Sequence, residues 1–159
     1  MILVGVGMLA LSLSACSAVS PGTAPVRDSS GQITESNDST DVFALIVGDC
    51  TNDGTVTNGE VATVPAVPCA EPHDNEAFSS GTLPDGDFPG DESVATTANT
   101  MCLAAFEPFV GAEYDASILG YFAIKPTDVS WGQGDRQVLC LAYDSTGAQL
   151  TGSVRDTAL

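Results

Sequence analysis

Residues 64–78 read VPAVPCAEPHDNEAF, and we expect the rest of the domain to be arranged around this stretch. It holds three prolines, three acidic residues, one cysteine and the only histidine of the chain. Because proline cannot donate a hydrogen bond to a sheet, Pro65 confines its strand to an edge or a bulge. The stretch predicts a rigid corner between two strands, in which His73 bonds to the backbone.

Apolar runs on both sides of the corner predict a mostly antiparallel sheet. Their positions are 42–49, 60–67, 75–83, 118–124, 136–143 and 149–154. Between the third and fourth runs, residues 91–109 place apolar side chains at spacings of three and four, which is typical of a helix with one buried face. The order predicts an α+β domain of about five to six short strands with one main covering helix.

Composition limits the partners of the chain. Its 159 residues include 4 Lys and Arg against 21 Asp and Glu, which gives a formal net charge of −17. Nucleic acids and anionic lipid surfaces are bound through basic patches, so neither is an expected partner. The length allows one domain, and its acidic surface favours solubility.

The first residues indicate export. Residues 1–15 read MILVGVGMLALSLSA, which is shorter than the roughly 20 apolar residues that span a bilayer and predicts a signal peptide. The run continues as Leu13-Ser14-Ala15-Cys16, which resembles the lipobox of bacterial lipoproteins. The resemblance implies cleavage before Cys16 and acylation of that residue. We therefore expect an exported lipoprotein, anchored to the outer face of the cytoplasmic membrane.

The segment after the lipobox differs in composition from the rest of the chain. Residues 16–41 are rich in Ser, Thr, Pro, Gly and Asp and contain few large apolar side chains. Such a segment buries too little apolar surface to offset its ordering entropy, so we expect a flexible tether. Residues 42–159 then form the globular domain.

Four cysteines follow the lipobox, namely Cys50, Cys69, Cys102 and Cys140. An even number in an exported chain predicts two disulfides, for which three pairings are possible. We favour Cys50–Cys69, because these residues lie near the two ends of one strand-loop-strand excursion. We favour Cys102–Cys140, because Cys102 lies on the apolar stripe of the helix that should cover the sheet.

Residues 49–60, DCTNDGTVTNGE, match in part the calcium-binding loop of an EF-hand. Asp49, Thr51, Asp53 and Glu60 fall at positions whose oxygen atoms could ligate Ca²⁺. The same residue types are common in ordinary turns, and the flanking runs predict strands rather than helices. An extracytoplasmic calcium-binding module is therefore the alternative function, and no other cofactor is expected.

No catalytic constellation emerges from the sequence. Cys69 and His73 could form a nucleophile and its base, but a disulfide would remove the thiol. Paired carboxylates are used by glycosidases, but the acidic run of the chain fits a solvated turn and a helix N-terminus. That run consists of Asp85, Asp87, Asp91 and Glu92. We predict no catalytic residue, and an envelope hydrolase is a disfavoured third alternative.

Several short pieces of the chain together resemble the septum formation domain of exported and membrane-bound actinobacterial proteins. The pieces are Val47-Gly48-Asp49-Cys50, Val67-Pro68-Cys69, Pro72-His73, Glu76, Phe88-Pro89-Gly90, Cys102, Phe106, Pro126-Thr127, Ser130-Trp131, Gly134-Asp135-Arg136, Cys140 and Leu150-Thr151-Gly152-Ser153. The resemblance spans roughly Gly48 to Thr157, and it departs from the family pattern at Asp156, where glycine is expected. It implies a role at the division septum or cell envelope and no enzymatic activity.

These observations lead to one expectation. The chain is a non-enzymatic, membrane-anchored envelope lipoprotein that acts as a binding or scaffolding module. Its partner is an envelope protein or a cell-wall polymer. Trp131, within a short helical turn over 126–134, is expected to fill the core rather than to bind a ligand.

Overall fold

The computed structural model describes residues 22–54 and 60–159. Its strands are β1 (Asn37–Asp41), β2 (Cys50–Thr51), β3 (Thr63–Val67), β4 (Asn75–Thr82), β5 (Leu119–Ile124) and β6 (Gln137–Asp144). Its helices are α1 (Asp91–Val110) and α2 (Asp128–Gly132), with 3-10 turns at Val42–Ala44 and Tyr114–Ala116. Within these ranges, no helix is both long and apolar enough to cross a membrane.

All six strands form one sheet in the order β1-β3-β2-β4-β6-β5, and every neighbouring pair is antiparallel. The predicted α+β class, with one main helix over an antiparallel sheet, is confirmed. β6 is apolar and buried from Val138 to Ala142, because both faces of the sheet are covered there. Val138, Cys140 and Ala142 belong to the core under α1, whereas Leu139 and Leu141 belong to a second core on the opposite face.

α1 covers the first face of the sheet with a stripe of side chains at steps of three and four. The buried members are Val94, Ala98, Cys102, Phe106, Phe109 and Val110. Asp91 and Glu92 occupy the first turn, where acidic side chains interact favourably with the positive end of the helix dipole. Gly111 ends the helix in the left-handed conformation at a φ of 87°, and its N–H donates to the carbonyl oxygen of Glu107.

The second face of the sheet is covered by the N-terminal segment, residues 22–49. Ile33, Val42 and Leu45 are buried there against residues of β3, β4 and β6. The predicted tether, residues 16–41, therefore ends too late in the chain. From Gly22 onward the backbone is packed beside the sheet, and Asn37–Asp41 pairs with β3.

Two further predictions of strands are wrong. Residues 42–49 form a 3-10 turn and a loop, because the Asp41 carboxylate caps the N–H of Phe43 and starts the turn. Residues 149–154 do not form a strand; only Leu150 pairs, in a single bridge with His73. Gly152 breaks the extended run with a φ of 83°.

The two predicted disulfides, Cys50–Cys69 and Cys102–Cys140, are confirmed. The first closes the corner that follows β3, and the second fastens α1 to β6, which lies between β4 and β5. Pro65 lies within β3 opposite a register irregularity in β1, which agrees with the predicted bulge. Because Pro65 has no N–H, its position opposite the irregularity leaves no hydrogen bond of the sheet unmade.

Removing the disulfide between α1 and β6 is expected to destabilise the domain more than removing the other one. The sequence separations are 38 and 19 residues, and a longer closed loop restricts the unfolded chain more. We expect the double variant Cys102→Ala/Cys140→Ala to lower the free energy of unfolding by about 4 kcal/mol, against about 3 kcal/mol for Cys50→Ala/Cys69→Ala. Guanidinium denaturation measures both, and an unchanged midpoint in the first variant would contradict the assignment.

Candidate functional site

The corner after β3 holds the C-terminal segment of the chain on the sheet. His73 and Leu150 exchange backbone hydrogen bonds of 3.0 and 2.8 Å. The N–H of Gly152 donates to the carbonyl oxygen of Cys69 over 2.7 Å. We call residues 69–76 and 150–154 the clasp.

Glu76 is the polar centre of the clasp, and its side chain is fully buried on β4. One carboxylate oxygen accepts the Ser153 hydroxyl over 2.7 Å, and the other accepts the N–H of Val154 over 2.6 Å. Burial raises the pKa of Glu76 above its ordinary value of 4.5. These two hydrogen bonds and the charge of Arg155 oppose that increase.

His73, the only histidine of the chain, is fully buried in the clasp. Its Nδ1 lies 2.8 Å from the carbonyl oxygen of Glu71, the main-chain acceptor available to a ring N–H. In a neutral ring with Nδ1 as the donor, Nε2 is an acceptor. That atom has no hydrogen-bond partner among the residues that the structure describes. The ring is therefore a buried packing and turn group, closed off from solvent.

The residues predicted to bind calcium have other partners. Both Asp49 oxygens accept from the guanidinium of Arg27, over 2.5 and 2.6 Å. The carboxylate of Asp53 accepts the side-chain amide of Asn75 over 3.0 Å. Residues 55–59 of the predicted loop lie outside the described residues. Of the remaining two candidates, Thr51 is buried and Glu60 lies in a different network, described below.

Only one group of three or more Cys, His, Asp or Glu side chains in residues 22–54 and 60–159 is close enough to share a metal ion. It consists of Cys50, Cys69 and Glu76. The two cysteines are joined in a disulfide, so they offer no thiolate ligand. The calcium candidates do not form such a group.

A groove of about 870 Å³ lies on the second face of the sheet, at its β5 end. The N-terminal segment leaves this part of the face open. Its apolar lining consists of Val42, Phe43, Val61, Ala62, Phe122, Ala123, Ile124 and Leu139. Phe43 and Phe122 are 59% and 40% exposed, so large aromatic surface is available to a partner.

The polar rim of this groove is bonded within itself. The Thr127 hydroxyl accepts the N–H of Ser130 over 3.1 Å and donates to Glu60 over 2.6 Å. The Ser130 hydroxyl donates to Asp135 over 2.9 Å, and Asp135 accepts the N–H of Gln137 over 2.9 Å. These bonds connect the start of α2 to the start of β6, so the rim is held in one arrangement.

Trp131 and Arg136 pack beneath the polar rim, on the side of the core. Trp131 is buried, as predicted, and its ring N–H donates to the carbonyl oxygen of Gly86 over 2.9 Å. The Arg136 guanidinium lies 3.7 Å from the centre of the Trp131 ring, a cation–π contact. Gly134, at a φ of 96°, turns the chain from α2 towards β6.

Comparison with known proteins shows the family of the chain. Residues 47–158 match the family described as Septum formation. The chain belongs to the septum formation family. Several of the sequence pieces that carried the resemblance gather in two places in the structure: Pro68, Pro72, His73 and Glu76 belong to the clasp or its approach, and Trp131, Gly134, Asp135 and Arg136 build the groove rim. Cys102, Phe106 and Cys140, by contrast, belong to the core under α1.

Two curated relatives, from Mycobacterium tuberculosis and Mycobacterium bovis, are both named "Putative lipoprotein LppN". Each is 31% identical to the chain over 114 residues, a match that covers 70% of this chain and 62% of the relative. The chain thus spans less than two thirds of the length of these relatives. No solved structure matches the chain.

Some of these site residues were not predicted from the sequence. Arg27 falls in the predicted tether, but it forms an ion pair with the buried Asp49. The available signal was the scarcity of basic residues, because the chain has only 4 Lys and Arg. The exposed aromatic residues of the groove, Phe43 and Phe122, lie in apolar runs and are predicted from the sequence as core positions. Their exposure depends on the strand order, which the local sequence does not indicate.

The buried carboxylate of Glu76 predicts a specific dependence of stability on pH. Because its folded pKa is raised, the folded protein keeps a proton over a pH range in which the unfolded chain has released it. The stabilisation from this bound proton is complete below pH 4.5, the ordinary pKa of the group, and it is lost as the pH rises through the pKa of the folded state. Glu76→Gln removes this loss. Between the ordinary pKa and the raised pKa, the free energy of unfolding of the variant should therefore increase relative to that of the native protein by about 1.4 kcal/mol per pH unit.

Urea denaturation of both proteins between pH 4 and pH 8 measures the difference, which depends on the titration of this one group. Glu71→Gln is the matched control, because Glu71 is an exposed carboxylate of the same corner. Parallel pH curves for the native protein and Glu76→Gln would show that the raised pKa is incorrect.

Proposed function

We propose that this chain is a lipid-anchored binding module that acts outside the cytoplasmic membrane in septum formation or envelope assembly. Membership of the septum formation family supports the cellular process. The lipoprotein name of its relatives, together with Leu13-Ser14-Ala15-Cys16, supports the anchor. Cys16 itself lies outside the described residues, and its acylation is part of the proposal.

The observation that carries the binding role is the groove beside β5. Its apolar lining offers surface to a partner, and its polar rim is already ordered, so little entropy is lost when a ligand binds. Neither His73 nor a cysteine lines the groove, and the rim hydroxyl of Ser130 is held by Asp135. These features favour recognition of an envelope protein or polymer over chemistry on it.

The charge of the chain agrees with an anchor made of lipid rather than of basic residues. A domain with a net charge of −17 is repelled by the anionic lipid surface, and it cannot attach there electrostatically. One acyl chain gives only reversible membrane binding, whereas two or more give stable attachment. The lipid on Cys16 would hold the domain near the membrane while its charge keeps the folded surface in the aqueous phase.

The anchor is tested by the variant Cys16→Ala. We expect it to leave the membrane fraction, because the only proposed attachment is removed, while Ser17→Ala remains there. Fractionation of the expressing cells and mass spectrometry of the mature N-terminus measure the two outcomes. A Cys16→Ala protein that stays in the membrane fraction would contradict the anchor.

The binding role is tested by a photo-crosslinking residue in the groove. With benzoylphenylalanine in place of Phe43, we expect covalent capture of a division or envelope component in living cells. The same residue in place of Val26 is the control, because Val26 is 51% exposed but lies outside the groove. Identical capture at both positions, or no envelope component at Phe43, would contradict a binding role for the groove.

A further inference from the structure

The last strand of the sheet, β5, has one open edge. It pairs with β6 on one side, and no strand within residues 22–54 and 60–159 pairs with its other side. The carbonyl oxygen of Ile118 accepts the N–H of Ser145 over 3.1 Å, so this residue directs its backbone groups towards β6. Backbone groups alternate along a strand, and those of Tyr121 and Ala123 therefore point away from β6. They meet no backbone partner in the part of the chain that the structure describes.

This edge is not protected in the manner usual for natural sheets. Edge strands are commonly interrupted by proline, a bulge or an inward-pointing charge. β5 reads LGYFAI and carries none of these; Lys125 and Pro126 follow only after its end. Its pairing with β6 is also regular, with no shift of register between Leu119 and Ile124. The edge is thus long and straight enough to accept another strand.

Hollows lie beside the edge on both faces of the sheet. On the second face is the groove, to which Phe122 and Ile124 of β5 contribute. On the first face, beside Tyr121, is a smaller hollow of about 510 Å³. Its other lining residues are Asn99, Leu103, Glu113, Tyr114 and Asp115. A strand paired with β5 would direct alternate side chains to the two faces, and so into the two hollows.

The two hollows differ in chemistry. The groove has an apolar lining that includes Phe43 and Phe122. The hollow on the first face carries the exposed carboxylates of Glu113 and Asp115, and neither forms an ion pair with a described residue. It also exposes Leu103 and Tyr114, over which the stem of a long basic side chain can lie. An occupant therefore needs apolar side chains on one face and basic side chains on the other.

Charge also decides between possible occupants. A second copy of this chain carries the same net charge of −17, and its β5 offers no Lys or Arg to the carboxylates. A polyanionic polymer is repelled for the same reason. A basic segment of another protein is attracted over a longer range, which raises the rate of encounter.

We propose that β5 binds an extended segment of a partner protein as a seventh, edge-paired strand, in which apolar residues alternate with Lys or Arg. This inference rests on the proposed binding role and specifies its partner, but it does not depend on the lipid anchor. Backbone hydrogen bonds to Tyr121 and Ala123 provide affinity. The alternation of apolar and basic side chains between the two hollows provides specificity.

The experiment is selection from a displayed library of random peptides of about ten residues, long enough for one strand. The bait is the full-length protein purified in non-ionic detergent. We expect the enriched peptides to alternate apolar and basic residues, and a synthetic copy of the best one to bind in fluorescence anisotropy. Enrichment of sequences without that alternation, or of none, would overturn the proposal.

Variants of the edge locate the bound peptide. Ala123→Pro removes an outward N–H without removing a hydrogen bond to β6, and we expect it to weaken peptide binding by about tenfold or more. Phe122→Ser is expected to do the same by reducing the apolar lining. Glu113→Gln/Asp115→Asn should weaken binding and flatten its salt dependence. Ile46→Ser, at a residue that is 48% exposed and lines neither hollow, should bind as the native protein does.

The outcomes separate the possible failures. If every variant keeps its thermal unfolding transition and Ala123→Pro and Phe122→Ser bind as tightly as the native protein, the edge is not the site. If sedimentation shows a dimer that Ala123→Pro dissociates, the occupant is a second copy and the proposal is overturned. Peptide binding at β5 without capture of an envelope component at Phe43 would leave this inference standing and refute the proposed function.

Discussion

The attachment of the C-terminal segment to the sheet depends on the buried carboxylate of Glu76. It lies on β4 opposite Cys50 of β2 and Ala142 of β6, at the middle of the sheet. From there it accepts hydrogen bonds from the C-terminal segment, whose later backbone N–H groups reach the end of α1. One acidic side chain thus connects three strands to the segment that packs against the end of the helix. A buried carboxylate is costly unless its oxygens are satisfied, which explains why both of them are bonded.

Three of the four basic residues, the arginines, each have a distinct role. Arg27 fixes the N-terminal segment through Asp49, and Arg136 supports the groove by stacking on Trp131. Arg155 lies 4.0 Å from the centre of the Phe109 ring and fastens the C-terminal segment to α1. Loss of one cation therefore removes a junction between two parts of the chain, rather than one of many exchangeable surface charges.

Much of the architecture follows from local pattern. α1 and β6 could be predicted, because helical spacing and a continuous apolar run each indicate one type of element. Both disulfides could be predicted, because the even cysteine count indicates two bridges and the predicted elements place the partners close together. The N-terminal segment could not, because its Ser- and Thr-rich composition carries little burial signal. Its order comes from pairing with β3, distant in sequence, and from the Arg27–Asp49 ion pair. The groove is unpredictable for a similar reason: Phe43, Glu60 and Phe122 meet only through the strand order.

The strand order also determines how the domain can be presented at a surface. At Thr23 the chain lies beside β1, and β5 lies at the opposite margin of the sheet, five interstrand spacings or about 24 Å away. If Cys16 carries lipid, the six residues to Gly22 reach at most about 20 Å. The lipid would then hold the domain close to the membrane by the side of the sheet that carries β1. Its open edge is on the far side, where it can meet segments that project from neighbouring molecules.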